Sequence, residues 1–455
     1  MPAEVCIRRL HWPEDAPRPV EILGRQPGQF SALLEDPSGD GRKFLISRNG
    51  KTHTLRQCQP TKADEFFNRW RSLCRQRLNQ DDAAHAVQAL VYAAYEAGGL
   101  IEALPEAKSA IHGPLLWLHE PDWSCCFVPA TEAVYIACHG ESSDAGGAEP
   151  SLDAIESMLR ATRPDQMQSF EFGGDIAEAS AVADYRSAVH AAKTYIAAGD
   201  VFQANIARFW QASCEAGEGL ALYRRLRQVN PAPFSAYVDI DEGEDRLQII
   251  SASPERLFHI GGDRCVDTRP IAGTRRRADG DQDDALKAEL LLNEKERAEH
   301  IMLVDLERND LGRVCRPGSI EVNERMVVEQ YATVQHIVSN VRGRLRKGMD
   351  VVDVFQAMFP GGTITGCPKL RCMEIIHELE PCARGPYTGG VGYMAWDGSA
   401  DMNILIRTLW HHQGRLRWAA GAGIVADSDA DAELHETDHK AAGLLRALRS
   451  QVTLS

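Results

Sequence analysis

The sequence predicts an α+β fold built on largely antiparallel sheets. Strand-like runs follow one another near the C-terminus (GGVGYMAW, MNILIRTLWHH, LRWAAGAGIVAD) with no helical pattern between them. FSAYVDI and RLQIISAS flank the acidic turn DEGEDR as a hairpin. Helical patterns are grouped rather than alternating with the strands, which argues against a doubly wound parallel sheet.

Taken in order, residues 1 to about 140 mix short apolar runs (FSALLED, KFLISRNG, AVYIACHG) with one helical stretch, AAHAVQALVYAAYEAGGLIEAL. The segment His139–Pro150 is polar, Gly-rich and Pro-ended, and reads as an exposed loop. DYRSAVHAAKTYIAAGD is an amphipathic helix with Asp184 as N-cap and Gly199 as its stop. VFQANIARFW is a strand, VVDVFQAMF a helix, and PGGTITGCPK a Gly-rich turn before another helix. No internal repeat appears.

The chain has 455 residues, 44% hydrophobic and 25% charged, with a formal net charge of −15. That acidity argues against nucleic acid or an anionic membrane as the main partner. No run approaches a membrane span, and MPAEVCIRRLHWPED has no apolar signal core, so a cytoplasmic protein is expected. Twelve cysteines without framework spacing suit reduced thiols rather than disulfides or a zinc site.

The central stretch is Ala285–Arg313, whose middle reads as one long helix. Ala298, Ile301, Met302 and Leu306 form an apolar stripe, and Glu296 and Glu299 project from one face. Glu433 and Glu436 repeat that spacing near the C-terminus. Two such pairs are what a Mg²⁺ site facing an anionic ligand needs, and equally what two solvated acidic faces would show. Three Gly-rich turns, GGTITG (Gly361–Gly366), GAG (Gly421–Gly423) and AGT (Ala272–Thr274), offer backbone amides to carboxylate or phosphate oxygens; none has P-loop spacing. Arg407, in a strand-like NILIRT, is an arginine among apolar residues that needs an anionic partner.

SASPERLF, TRPIAGTRRR, AEHIMLVDLERNDLGRV, VQHIVSNV, FPGGTITGCPKLRCMEII, GGVGY, NILIRT and AGAGIVADSDADAELHETDHKA occur in this order across Ser251–Ala441. This series closely resembles the chorismate-utilising enzymes: anthranilate synthase component I, aminodeoxychorismate synthase component I, isochorismate synthase and salicylate synthase. The resemblance implies that family's fold, two large mostly antiparallel sheets with flanking helices. It also implies an N-terminal region over residues 1–165, with a possible tryptophan-like pocket, and a chorismate-binding region over 175–455.

The resemblance further implies roles by residue. Glu299 and Glu436 match direct Mg²⁺ ligands, and Glu296 and Glu433 ligands through water. Gly421, Ala422, Gly423 and Lys440 would assist at the ring carboxylate of chorismate. Arg407 and Tyr393 match the pair that grips the enolpyruvyl carboxylate. Glu255 matches the general acid for the C4 hydroxyl, which requires a raised pKa. His336, Thr274 beside Gly273, and Thr363 line the ring. Gln203 stands where water-using members place a lysine base, which points to ammonia as nucleophile. The chain carries no glutaminase signature, so a separate glutamine amidotransferase subunit is the implied partner.

GGTITG and Gln335 resemble the aminodeoxychorismate branch, while Ala272 in PIAGT is the anthranilate spelling. LLED (Leu33–Asp36) resembles a tryptophan-pocket element with Asp36 in place of serine. The balance favours amination at C4, with anthranilate formation as the alternative.

Overall fold

The computed structural model describes residues 4–449 except 38, 40, 107, 109–111, 141–150, 162–171, 173, 215–218, 277–279 and 331–333, so most of the loop expected at His139–Pro150 lies outside the described residues. Two large sheets dominate, and every strand pair described is antiparallel. The α+β expectation holds.

The first sheet, of twelve strands, runs through Glu4–His11, Ala133–Gly140, Trp123–Val128, Lys43–Ser47, Phe30–Glu35, Phe234–Glu242, Asp245–Ser253, Thr408–His412, Arg415–Ile424, Gln203–Ser213 and Gly366–Cys367, with Ile176–Glu178 alongside Gln203–Ser213. The second, of ten, runs through Ile271–Arg276, Val334–Arg344, Cys265–Thr268, Arg256–Ile260, Ala400–Ile404, Gly390–Ala395, Val87–Ala93, Leu116–Pro121 and Gly50–Leu55, with Glu321–Gln330 on Val334–Arg344. Strands from the first 140 residues and from the rest of the chain share both sheets.

Strand periodicity sorts side chains into three large cores, beside a small cluster around Trp396. Leu90 and Tyr92 join Val238, Ile249 and Trp410 between the sheets. Their neighbours Ala89, Val91 and Ala93 face the other way, into a core with Phe66, Trp70, Phe355 and Met373 from helices Pro60–Cys74, Val351–Met358 and Lys369–Leu379. On the outer face of the first sheet, Trp418 and Ile250 pack against Tyr223, Leu226 and Leu444 from helices Gly219–Val229 and Ala430–Arg449. The result is a helix, sheet, sheet, helix layering.

Several local readings change. Helix Val182–Ala198 begins before Asp184, whose carboxylate accepts the Ala181 N–H at 3.0 Å from the third helical position; Gly199 stops the helix with φ +83°. The central segment is two helices, Asp281–Leu292 and Glu294–Gly312. They break at Asn293, whose side chain caps the second by accepting the Glu296 N–H at 3.0 Å. Of the apolar stripe only Leu306 is buried, while Ala298 is exposed and Met302 half-buried. Ile301 is 42% exposed, whereas His300, Leu303, Leu306, Glu307, Asp310 and Leu311 face inward. Polar groups occupy that face because each has an internal partner, as in His300 Nε2 with Ser339 Oγ at 2.6 Å.

A buried ion pair ties the helix layer to the sheet beneath the glycine-rich turns. Arg384 and Glu380 are 1% and 3% exposed. Glu380 Oε1 accepts from Arg384 at 2.6 Å and from Ala207 N at 2.9 Å, while Arg384 donates to Asn205 O at 2.8 Å and Ile364 O at 3.0 Å. Replacing Glu380 by Ala strands that guanidinium and should cost about 3–5 kcal/mol in urea denaturation, while the double replacement Glu380→Leu with Arg384→Met should cost less than the single one. A single-variant loss below about 1 kcal/mol would remove the pair from this role.

Candidate active site

The site forms where the chain passes twice from one sheet to the other. Strand Asp245–Ser253 belongs to the first sheet and Arg256–Ile260 to the second, so Glu255 sits at the crossing. Strand Ala400–Ile404 belongs to the second sheet and Thr408–His412 to the first, so Arg407 sits at the other. Arg407 is therefore not within a strand as NILIRT suggested; it takes φ +49°, a left-handed backbone that is costly for a side-chain-bearing residue. The crossings are stitched together by Ile404 N donating to Glu255 O at 3.0 Å and Ala252 N to Arg407 O at 3.1 Å.

Burial acts on both side chains. Glu255 is 6% exposed, and desolvation pushes its carboxyl up to about 7, against the Thr363 hydroxyl and the positive charges of Lys440 and Arg407. Desolvation lowers the Arg407 pKa, and among the described residues no carboxylate forms an ion pair with it. His336, 2% exposed, is pushed down to about 4 by burial and then by Arg407, and its Nδ1 lies 3.3 Å from Gly273 O. The ring is thus neutral at pH 7. Thr274 pairs with His336 across the ladder; its side chain lies outside the described part.

The two glutamate pairs approach this centre from opposite helices. Glu296 packs on Gly273, where φ is +64° and a Cβ would fall 1.7 Å from Glu296 Oε2. Only glycine accepts both conditions. Glu299 Oε1 accepts from Gln203 Nε2 at 2.9 Å, and Gly423 leaves the room, since a Cβ there would fall 2.2 Å from that nitrogen. Gln203 is 3% exposed, and among the described residues its Oε1 has no partner. On helix Ala430–Arg449, Glu433 is buried and Glu436 is 2.7 Å from Lys440 Nζ, which also donates to Gly421 O at 2.9 Å. Gly421, Ala422 and Gly423 prove to lie inside strand Arg415–Ile424 rather than in a turn after it. Arg208 fixes that helix to the next strand through Thr437 at 2.9 Å and Asp438 at 2.6 Å.

The donor set is all carboxylate oxygen, which fits Mg²⁺. Among the described residues no three carboxylate, imidazole or thiol groups already converge on one point. The Lys440 ammonium and the Gln203 amide satisfy Glu436 and Glu299 in this structure.

Tyr393 is not brought to this cluster. Its ring lies 4.4 Å from that of Phe44, because that side of strand Gly390–Ala395 turns toward the core between the sheets. Tyr387, a buried member of the same core, reaches strand Arg415–Ile424, its phenol accepting the Gly421 N–H. The signal for it was the neighbouring RGPYTGG, which carries a second tyrosine beside a Gly pair. In LLED, Glu35 is enclosed by Arg227 at 2.7 Å and Tyr223 at 2.8 Å.

A buried carboxyl lifted to about 7, beside an arginine that no carboxylate pairs with among the described residues and a carboxylate-rich rim, suits a small anionic ligand. The chain belongs to the chorismate binding enzyme family, whose model matches residues 31–446. It is 45% identical over 322 residues to aminodeoxychorismate synthase component 1 of Bacillus subtilis, covering 70% of this chain and 67% of the relative. It is 49% identical over 261 residues to an anthranilate synthase component 1 of Haloarcula marismortui, covering 57% and 52%. Anthranilate synthase component I from Streptococcus pneumoniae shares the fold with a TM-score of 0.77 and 29% identity, covering 95% of this chain and 98% of that one. No helix among the described residues is long and apolar enough to cross a membrane.

The Glu255 shift fixes a pH dependence. Its protonated form persists from the ordinary carboxyl value of 4.5 up to about 7 and is lost above that. Acid-dependent kcat/KM, corrected for the fraction of ammonium present as NH3, should therefore fall as pH rises through about 7. Glu255→Gln should abolish that limb; an unchanged profile in the variant would assign the titration to another group.

Proposed function

We propose that this protein aminates chorismate at C4 with ammonia, giving 4-amino-4-deoxychorismate for p-aminobenzoate and folate synthesis. The observation that carries amination is Gln203: a buried amide bonded to Glu299, at the position where water-using relatives carry a lysine base. An amide cannot deprotonate water, whereas ammonia attacks as the free base. The resemblance to the Bacillus subtilis enzyme, GGTITG and Gln335 support C4. Ammonia would come from a glutamine amidotransferase subunit.

On this reading Arg407 holds the enolpyruvyl carboxylate, and Lys440 with the Gly421–Gly423 backbone faces the ring carboxylate. Glu255 keeps a proton for the C4 oxygen, with Thr363 orienting its carboxyl. Glu299 and Glu436, backed by Glu296 and Glu433, would hold Mg²⁺, which when bound supplies charge neutralisation at the ring carboxylate. His336, neutral, lines the ring without adding charge.

The second reading, anthranilate synthase component I, is favoured by Ala272, buried in strand Ile271–Arg276 where many C4-aminating relatives carry a lysine, and by the Haloarcula marismortui relative. Asp36 in LLED, together with the enclosure of Glu35, weighs against a tryptophan-responsive pocket.

The test is to incubate the purified chain with chorismate, Mg²⁺ and an ammonium salt at mildly alkaline pH. A product that keeps the enolpyruvyl group, and that an added lyase converts to p-aminobenzoate, is expected. Stoichiometric pyruvate with fluorescent anthranilate would overturn C4 amination. Glu436→Gln should remove Mg²⁺-dependent turnover by about two orders of magnitude while the thermal midpoint stays put.

A further inference from the structure

The inward face of helix Glu294–Gly312 carries two carboxyls that no role above uses. Glu307 and Asp310 are 4% and 7% exposed. Lys369 Nζ lies 2.6 Å from Asp310 Oδ2 and donates to Met358 O at 2.9 Å. Glu307 reaches the other way: its Oε1 is 3.4 Å from where a Cβ on Gly362 would stand. Gly362 precedes Thr363, whose hydroxyl faces Glu255. The groups facing Glu307 are Asp310, Lys369, Glu255 and the Thr268 hydroxyl, with Arg313 and Glu102 beyond Asp310. Two buried carboxyls one helical turn apart, of which Asp310 alone bonds the one ammonium ion, cannot both ionise cheaply, so a proton stays with them. Burial first, then Asp310, pushes the Glu307 pKa up and leaves that proton on Glu307.

The proposed reaction consumes a proton. Glu255 gives its proton to the C4 oxygen and the C–O bond breaks, releasing water. Neutral ammonia forms the C–N bond, and the alkylamine product leaves as an ammonium ion near pH 7. Chorismate, ammonia and one proton thus become the protonated amine and water, and Glu255, 6% exposed, ends each turnover ionised.

We propose that Glu307 is the proton reserve that recharges Glu255 between turnovers, refilled from solvent through the Asp310–Lys369 pair. This rests on the amination reading, and it assigns Glu307 a role exercised through Glu255, without contact to substrate. Lys369, 14% exposed at its side chain, is the outer end of the path.

The experiment is stopped-flow measurement of chorismate loss, with saturating ammonium salt and MgCl2, for the unmodified chain, Glu307→Gln and Glu307→Asp. In Glu307→Gln the first turnover should stay within about twofold of the unmodified rate, and later turnovers should be at least about tenfold slower. Glu307→Asp, which can still carry a proton, should recover most of the loss. Asp310→Asn cuts the outer step and should give the same two-phase trace, which serves if Glu307→Gln does not fold. Equal slowing of both phases, as from a packing defect, or no slowing at all, overturns the relay. The product is identified by mass in the same run, because conversion of chorismate and ammonia to anthranilate, pyruvate and water consumes no net proton and would remove the demand that the relay serves. An unmodified chain that consumes no chorismate sinks the relay and the proposed function together.

Discussion

The structure depends on two neighbouring crossings between its sheets, at Ser253–Arg256 and Ile404–Thr408. A strand that leaves one sheet for another gives up its ladder hydrogen bonds, and buried backbone groups left unpaired there would be costly. Here each crossing satisfies the other: Ile404 N bonds Glu255 O, Ala252 N bonds Arg407 O, and Ser253 Oγ bonds Ile404 O at 2.5 Å. That mutual satisfaction lets the left-handed backbone at Arg407 persist. It also brings one acid and one cation from the two crossings near each other.

Around that fixed centre the helices are placed by polar contacts more than by apolar ones. Glu294–Gly312 is held by His300 on Ser339, Asp310 on Lys369 and the Asn293 cap. Ala430–Arg449 is held by Arg208. Directional bonds of this kind set rotation and register about a helix axis, which apolar packing alone leaves looser. The two glutamate pairs face the centre because those bonds fix which side of each helix turns inward.

The same feature explains what was legible in the sequence. Strand alternation and turn residues announced the antiparallel sheets, the motif series over Ser251–Ala441 announced Glu255 and Arg407 together, and Gln203 stood out separately on the strand VFQANIARFW. The inward face of the central helix was not legible. A pattern reader expects apolar residues at buried positions and so chose Ala298 and Ile301, whereas the buried face holds His300, Glu307 and Asp310, whose partners lie 39 and 59 residues away in sequence. Tyr393 and Tyr387 are both tyrosines near glycines, and nothing in their spacing says which of them meets Gly421. The sheet crossings were invisible for a related reason, since NILIRT and SPER carry nothing that distinguishes a strand continuing in one sheet from one changing sheets.

Desolvation works on the acid and the base in opposite directions, toward neutrality in both: it lifts Glu255 and lowers Arg407. Among the described residues no carboxylate pairs with that half-buried guanidinium, which carries a desolvation cost. On the proposed reading, the enolpyruvyl carboxylate removes that cost when it meets Arg407, and it cancels the positive charge that was pulling the Glu255 pKa down. The anion that binds is then the anion that keeps the acid protonated. Binding energy at the remote carboxylate becomes readiness at the leaving hydroxyl, and a substrate analogue lacking that carboxylate would lose both, because one arginine serves the two ends.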